Sequence, residues 1–452
     1  MGTVAERSQD LTAGASGRWS WAGLLDRFFR ISERGSTIGR EVVAGVTTFM
    51  TMAYILFVNP DILSSAGVPV EGAAVATALA AALTTLAMGL YANYPFALAS
   101  GMGLNAALAF GLVLGQGVSW QTAMGVVVVE GLIVTLLVLT NVREAVMDAI
   151  PLTLKQAIGA GIGLFIAFIG LQNAGLVVNS DATLVTFGSI TDKGPLLAII
   201  GLLLTAVLMS RRVPGAILLG ILITTVIGVP LGLTKAPSAW IRWPTAESFS
   251  TFFQADIRGV LNLAMLSSVF AFLMTDFFDT MGTVVAVGTE GGLMKDGKLP
   301  GLKRVLLVDS LAAALGGLLG ASSVTTYVES ASGVGQGGRT GLTSVVTGLL
   351  FLVAVLFAPL MGIVPSQATA PALILVGFLM LATIKDIPFH DFPESFPAFI
   401  TLLSIPLTYS IARGIGYGFV TYVVVKLLSG RSREIHPLMW AVAVLFLISF
   451  LV

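Results

Sequence analysis

Residues 325–338 read TTYVESASGVGQGG, a short β-branched run that carries a carboxylate, Glu329, and dissolves into glycine and serine between two long apolar stretches. A strand facing lipid is excluded, because unpaired backbone N–H and C=O groups are too costly in hydrocarbon. Non-helical backbone at membrane depth has to be buried in protein or line a cavity. The run is too short to span a bilayer and needs a partner. PFALASGMGLNAALAFG (95–111) offers one, since it too passes from a short extended piece into a glycine break, as ASSVTTYVESASGVGQGG (321–338) does. If FALA and SVTTYV meet near the midplane, each satisfies the other's backbone. Each is then followed by a half-helix whose free N–H groups and positive dipole end point inward, which defines a binding site.

The rest of the chain supports a membrane setting. Of 452 residues, 56% are hydrophobic and 11% charged, with a mean hydropathy of +0.94, outside the range of soluble domains. Apolar stretches of spanning length are read at 41–62, 71–91, 96–115, 119–140, 153–174, 194–210 and 214–231, then at 260–286, 302–320, 323–336, 340–362, 368–384, 395–409 and 411–429. The expected fold is therefore an all-α integral membrane protein of 14 transmembrane segments, with short β-strands in segments 3 and 10. An odd number of crossings per set inverts the second set relative to the first, the inverted repeat common in secondary transporters. The first repeat covers 41–231 and the second 258–429. Proline-led entries at Ile150 and Val364, each opening a fifth segment, are a second internal echo.

Residues 1–40 are polar and read as a cytosolic tail, closing in an interfacial helix around WAGLLDRFFRIS. In 430–452 the apolar run PLMWAVAVLFLISFLV is open to reading as an extra span or an interfacial helix. With the N-terminus inside, all basic residues except Lys193, Lys235, Arg242, Arg258 and Arg413 fall on cytoplasmic loops, as the positive-inside rule requires. That places a multi-pass protein in the cell membrane with a cytoplasmic N-terminus.

Charge and rare residues narrow the function. The 24 basic and 24 acidic residues cancel, so no global field points to nucleic acid. Cysteine is absent, and the two histidines, His390 and His436, sit near loop prolines. Disulfides, thiolate chemistry and a metal site drop out, no cofactor is expected, and an enzyme would lack a nucleophile–base pair.

Acids inside a membrane normally face a cavity and mark a substrate or proton route. Glu329 opens the second half-helix and Asn105 lies near the start of the first, with Thr326, Tyr327 and Ser330 flanking Glu329 as further candidates for substrate binding. FAFLMTDFFDTMGT adds Asp276 and Asp279, spaced to share a helix face. Asp276 is weighted above Asp279. Glu130 and Asp309 are open to reading as relay groups, but helix-to-helix hydrogen bonding is the favoured role, while Asp61 and Glu71 flank a loop and are expected to face water. GMG at 101–103 lacks the strand–helix unit of a nucleotide fingerprint.

Several stretches together resemble the AzgA-like purine permeases of the nucleobase–ascorbate transporter superfamily: ISERGSTIGREVVAGVTTFMTMAYILFVNP, GMGLNAALAF, IGLQNAGLVV, DFFDTMGT, TTYVESASGVGQGGRTGLTSVV and GRSREIHP. Their order covers nearly the whole chain after residue 30. The resemblance implies a core of segments 1–4 and 8–11 that slides, elevator-like, against a gate of segments 5–7 and 12–14. It implies proton-coupled uptake of hypoxanthine, guanine or adenine. By position it assigns the base-binding roles to Asn105, Asp276 and Glu329. A carboxylate that accepts from purine N–H groups and a carboxamide that donates form a suitable reader. Asp276 or Glu329 is expected to carry the coupled proton. Homodimers through the gate occur among such relatives, but the sequence shows no interface. The rival is a sulfate-type anion transporter of the same architecture, against which the acids count, since they repel an anion.

Overall fold

The computed structural model describes residues 21–140, 150–234, 237, 239–295 and 298–451. Residues 1–20 of the tail, Arg143 and Lys235 of the charge pattern, and Val452 lie outside the described residues. An amphipathic helix α1 (Trp21–Phe29) precedes a first span broken into α2 (Ile38–Met52) and α3 (Ile55–Ser65). Then come α4 (Val70–Ala87), β1 (Leu98–Ser100), α5 (Met102–Ala106), α6 (Trp120–Leu139) and α7 (Leu152–Asn173). A surface hairpin of β2 (Val177–Ser180) and β3 (Leu184–Phe187) leads to α8 (Lys193–Ser210) and α9 (Ala216–Gly228). The second half runs through α10 (Leu263–Glu290), α11 (Leu302–Leu319), β4 (Val324–Thr326), α12 (Ser330–Gly335) and α13 (Gly341–Ala354). It closes with α14 (Ala358–Met361), α15 (Ser366–Leu381), α16 (Phe392–Leu407), α17 (Ile411–Leu428) and α18 (Pro437–Leu451). Wider π-helical turns prolong α4 over Met88–Ala92 and α5 over Ala107–Leu114.

Among the described residues, nine continuous helices are long and apolar enough to cross a membrane, and four shorter apolar helices accompany them. Side-chain caps fix several starts: Thr37, Ser119, Asn262 and Ser410 accept the backbone N–H of Arg40, Thr122, Met265 and Arg413. Small residues bring helices into near contact. A Cβ added at Gly163 of α7 would lie 2.7 Å from the Gly377 carbonyl of α15, and one at Gly377 would lie 2.4 Å from the Gly163 carbonyl. Such glycines permit the close backbone approach on which membrane helix packing depends.

Two polar arrangements tie the helix ends together. At the end of α17 the buried Lys426 ammonium lies 2.6 Å from Glu394 and 2.5 Å from Glu434. Thr153 of α7 donates to the other oxygen of Glu394, and Arg431 pairs with both Glu434 and Asp391. This clasp joins α7, α16 and α17. Arg431 first, then Lys426, holds the Glu434 carboxyl down at about 2. A carboxyl depressed in the folded state stabilises above its unfolded value of 4.5 and loses that contribution as pH falls toward about 2. Glu434→Gln should therefore lower the melting temperature in detergent at pH 7, with the gap to the unaltered protein closing between pH 4.5 and about 2.

The second arrangement corrects an expectation. Asp61, at the end of α3, is not simply turned to water: its two oxygens accept from Ser366 (2.9 Å) and Thr369 (2.6 Å) at the start of α15. These hydroxyls meet Asp61 because α3 and α15 pack together. Glu71 is half-exposed, as expected, but pairs with Arg242 and accepts from Ser248 (2.6 Å). The closing apolar run is helical, and Phe446 of α18 meets Phe270 of α10 and Phe419 of α17 at ring distances of 5.7 and 6.0 Å.

Candidate substrate site at the strand crossing

β1 and β4 pair antiparallel, with Leu98 opposite Thr326, Ala99 opposite Thr325 and Ser100 opposite Val324. A two-stranded sheet leaves two outer edges unpaired, and both are filled by side chains. On the β1 edge the Thr85 hydroxyl accepts from Leu98 N–H (2.9 Å) and donates to Leu98 C=O (3.0 Å). On the β4 edge Asp309 Oδ1 accepts from the Thr326 N–H (2.9 Å) and hydroxyl (2.8 Å). The other oxygen of Asp309 takes the Thr280 hydroxyl at 2.5 Å. With edges and ladder satisfied, extended backbone at this depth is tolerable. Asp309 thus holds the strand in place as well as bonding α10 through Thr280, where a helix-to-helix hydrogen bond alone was expected.

At their ends the strands turn into α5 and α12. Gly101 N–H bonds Ser323 C=O (2.9 Å), and Tyr327 N–H bonds Ala97 C=O (2.9 Å). The glycines of GMG serve close packing: a Cβ at Gly103 would sit 2.6 Å from Ile162 of α7. Helix α10 packs against both half-helices and against β4.

The candidate residues divide by what their polar atoms do. Three of them complete the crossing itself. Thr326 is bound to Asp309, the Tyr327 hydroxyl donates to Ser100 C=O (2.5 Å), and the Ser330 hydroxyl accepts from Ala97 N–H (2.9 Å). Asn105 differs: it is fully buried, and among the described residues neither its Oδ1 nor its Nδ2 has a hydrogen-bond partner. Glu329 is partly exposed, and its Oε1 accepts from the Tyr54 hydroxyl at 2.6 Å. Asp276 is fully enclosed. Asp279, one turn further along α10, is partly exposed and interacts electrostatically with Asp309 and Glu329. The described cluster around Glu329 thus contains Asp279 and Tyr54.

Tyr54 had no signal in the sequence. It lies at the break between α2 and α3, where MAYILF shows neither glycine nor proline, and its partner is 275 residues away. The motif ISERGSTIGRE is another feature whose work only the structure displays. Glu41 is fully buried and accepts from the N–H groups of Arg339 (2.9 Å) and Thr340 (3.2 Å) and from the Thr343 hydroxyl (2.6 Å). Arg34 donates to the carbonyls of Asn93 (2.6 Å) and Arg339 (3.0 Å). These bonds hold the start of α13 and the turn before β1 against the first span and the segment that leads into it.

Among described residues no group of His, Cys, Asp and Glu could hold a metal ion. The Glu329 carboxylate, with one oxygen held by Tyr54, offers an acceptor suited to a neutral ligand with N–H donors.

Known proteins resemble this chain at two levels. Guanine/hypoxanthine permease PbuG of Bacillus subtilis (strain 168) is 46% identical over 94% of this chain and 99% of its own length. Adenine permease AdeP of Escherichia coli (strain K12) is 42% identical over 95% and 96%. Among solved structures, the transmembrane domain of the cyanobacterium bicarbonate transporter BicA aligns with a TM-score of 0.63 at 16% identity, over 83% of this chain and 96% of that one. Murine Slc26a9, an anion transporter in the inward-facing state, aligns with a TM-score of 0.65 at 11% identity, over 86% and 68%. At such identity the likeness concerns the fold alone. The family model described as the Permease family matches residues 39–417. With that match across most of its length, the chain belongs to the permease family, whose members are membrane transporters rather than enzymes.

Proposed function

We propose that this chain imports purine nucleobases as a proton-coupled secondary transporter. The observation that carries the reading is the crossing of β1 and β4, after which the chain places a buried carboxamide without a partner among the described residues, Asn105, in one half-helix and a partly exposed carboxylate, Glu329, at the start of the other. A purine presents N–H donors next to ring-nitrogen or carbonyl acceptors, which such a pair reads. The names of the relatives, guanine/hypoxanthine and adenine permeases, point to the same class. Glu329 and Asn105 bind the base, with Asp276 in the same role, and Thr326, Tyr327 and Ser330 shape the crossing. Asp276 or Glu329 carries the coupled proton, and Asp279, one turn from Asp276 on α10 and partly exposed, is a third carrier to test.

The transport step is proposed to be an elevator movement in a chain of fourteen crossings, built as two inverted repeats, with an inside N-terminus in the cell membrane. Packing supports the division. Helices α2, α3, α4, α6, α10, α11 and α13 associate mainly with one another, as do α7, α8, α9, α15, α16 and α17. Asp61 links the two groups through Ser366 and Thr369. A homodimer through the second group is part of the proposal.

The test is uptake of radiolabelled hypoxanthine into proteoliposomes with and without an inward-directed acid gradient. The expected result is uptake that rises severalfold with the gradient, collapses with a protonophore and is abolished by excess unlabelled purine. Uptake of sulfate or bicarbonate with none of purine would replace this reading by anion transport, which the fold likeness to BicA allows and the acids at the site disfavour.

A further inference from the structure

Tyr54 stands at the junction of α2 and α3 with its ring buried, 1% exposed, and its hydroxyl aimed at a single oxygen of Glu329. The nearby Thr51 hydroxyl lies 3.5 Å from the Glu329 carbonyl. We propose that Tyr54 is a positioning residue for the base: by occupying Oε1 it fixes the plane of the Glu329 carboxylate and leaves Oε2 to receive the ligand's N–H. This rests on the purine reading above and deepens it.

The argument runs from geometry to freedom of motion. The terminal torsion of a glutamate is broad and roughly two-fold, so an untethered carboxylate presents its oxygens in many planes. A short bond from a rigid, buried phenol removes that freedom before the ligand arrives, and preorganisation of this kind raises affinity by lowering the ordering cost of binding. The two residues also sit on elements that cannot slide apart easily. Helix α12 packs so closely on α2 that a Cβ at Gly333 would come within 2.1 Å of the Thr48 hydroxyl. Tyr54 and Glu329 therefore travel together during transport, and the bond between them acts on binding rather than on translocation. A residue that merely filled space would keep its role without the hydroxyl.

The test is hypoxanthine transport by Tyr54→Phe, which keeps the buried ring, together with Glu329→Gln and the double variant. Tyr54→Phe should raise KM about 5- to 20-fold while Vmax stays within about twofold, the loss of one charge-assisted hydrogen bond. On the Glu329→Gln background the same change should add less than about twofold, because the two residues act as one unit. Unchanged KM in Tyr54→Phe, a fall in Vmax alone, or losses that multiply in the double variant would each overturn the positioning role while leaving the purine reading intact. Absence of purine uptake by the unaltered protein would overturn both.

Discussion

Glu329→Gln is expected to raise the KM for hypoxanthine roughly 10- to 100-fold, the range for removing a hydrogen bond to a charged group. The amide keeps the size of the side chain and one oxygen, which Tyr54 can still engage. Where the carboxylate offered a second acceptor, the amide presents an N–H₂ group, which meets the N–H of the base donor to donor. Glu329→Asp retains the charge but withdraws it by one methylene from the Tyr54 hydroxyl, so its loss should fall between that of the native protein and Gln. Concentration-dependent uptake in proteoliposomes, with protein amount normalised, checks both. A Glu329→Gln variant with native KM would remove Glu329 from the proposed site.

The second large effect concerns the fold. Asp309→Ala should destabilise the protein by several kcal/mol, since each buried donor left unsatisfied costs about 1–3 kcal/mol. Three donors converge on this carboxylate: the Thr326 N–H, the Thr326 hydroxyl and the Thr280 hydroxyl. Deleting it leaves the outer edge of β4 without an acceptor at membrane depth. The observable is the yield of monodisperse protein in detergent and its melting temperature. Asp309→Asn keeps an oxygen for Thr326, and Thr280 can turn its hydroxyl to Thr325, 2.9 Å away. That variant should fold. If it folds with native stability and transports nothing, Asp309 takes part in the cycle beyond holding the strand.

The strand crossing was legible in the sequence because hydrocarbon permits so few alternatives to a helix. A β-branched run such as SVTTYV, too short to span, has to find a partner, and FALA was the matching interruption. Glu329 and Asn105 stood out for the same reason, as polar groups in apolar surroundings. Bonds between distant segments were not legible. Nothing local tells Asp61 that Ser366 and Thr369 await it, or Glu41 that it accepts the N–H groups opening α13. Hydroxyls are the hardest to place: Ser330 and Thr326 have the composition of ligand contacts, yet the Ser330 hydroxyl accepts from the Ala97 backbone and the Thr326 hydroxyl donates to the Asp309 carboxylate. The β2–β3 hairpin was passed over although VVNSDATLVTF places β-branched residues on both sides of a turn-rich centre. Its length escaped a reading tuned to spans.

The sheet at the centre of the protein joins chain segments made at very different moments of synthesis. Ser330, which accepts the N–H of Ala97, follows it by 233 residues. At elongation rates of about 5–20 residues per second, that interval is on the order of ten to fifty seconds. Until β4 has been made, the inner edge of β1 lacks the partner with which it pairs in the finished protein. The nascent first half is thus a species with a templating edge, the kind of surface that pairs with a second chain. Slowed translation between the two halves should lengthen that exposure, so the quality-control burden of this protein falls on its half-made form rather than on its finished one.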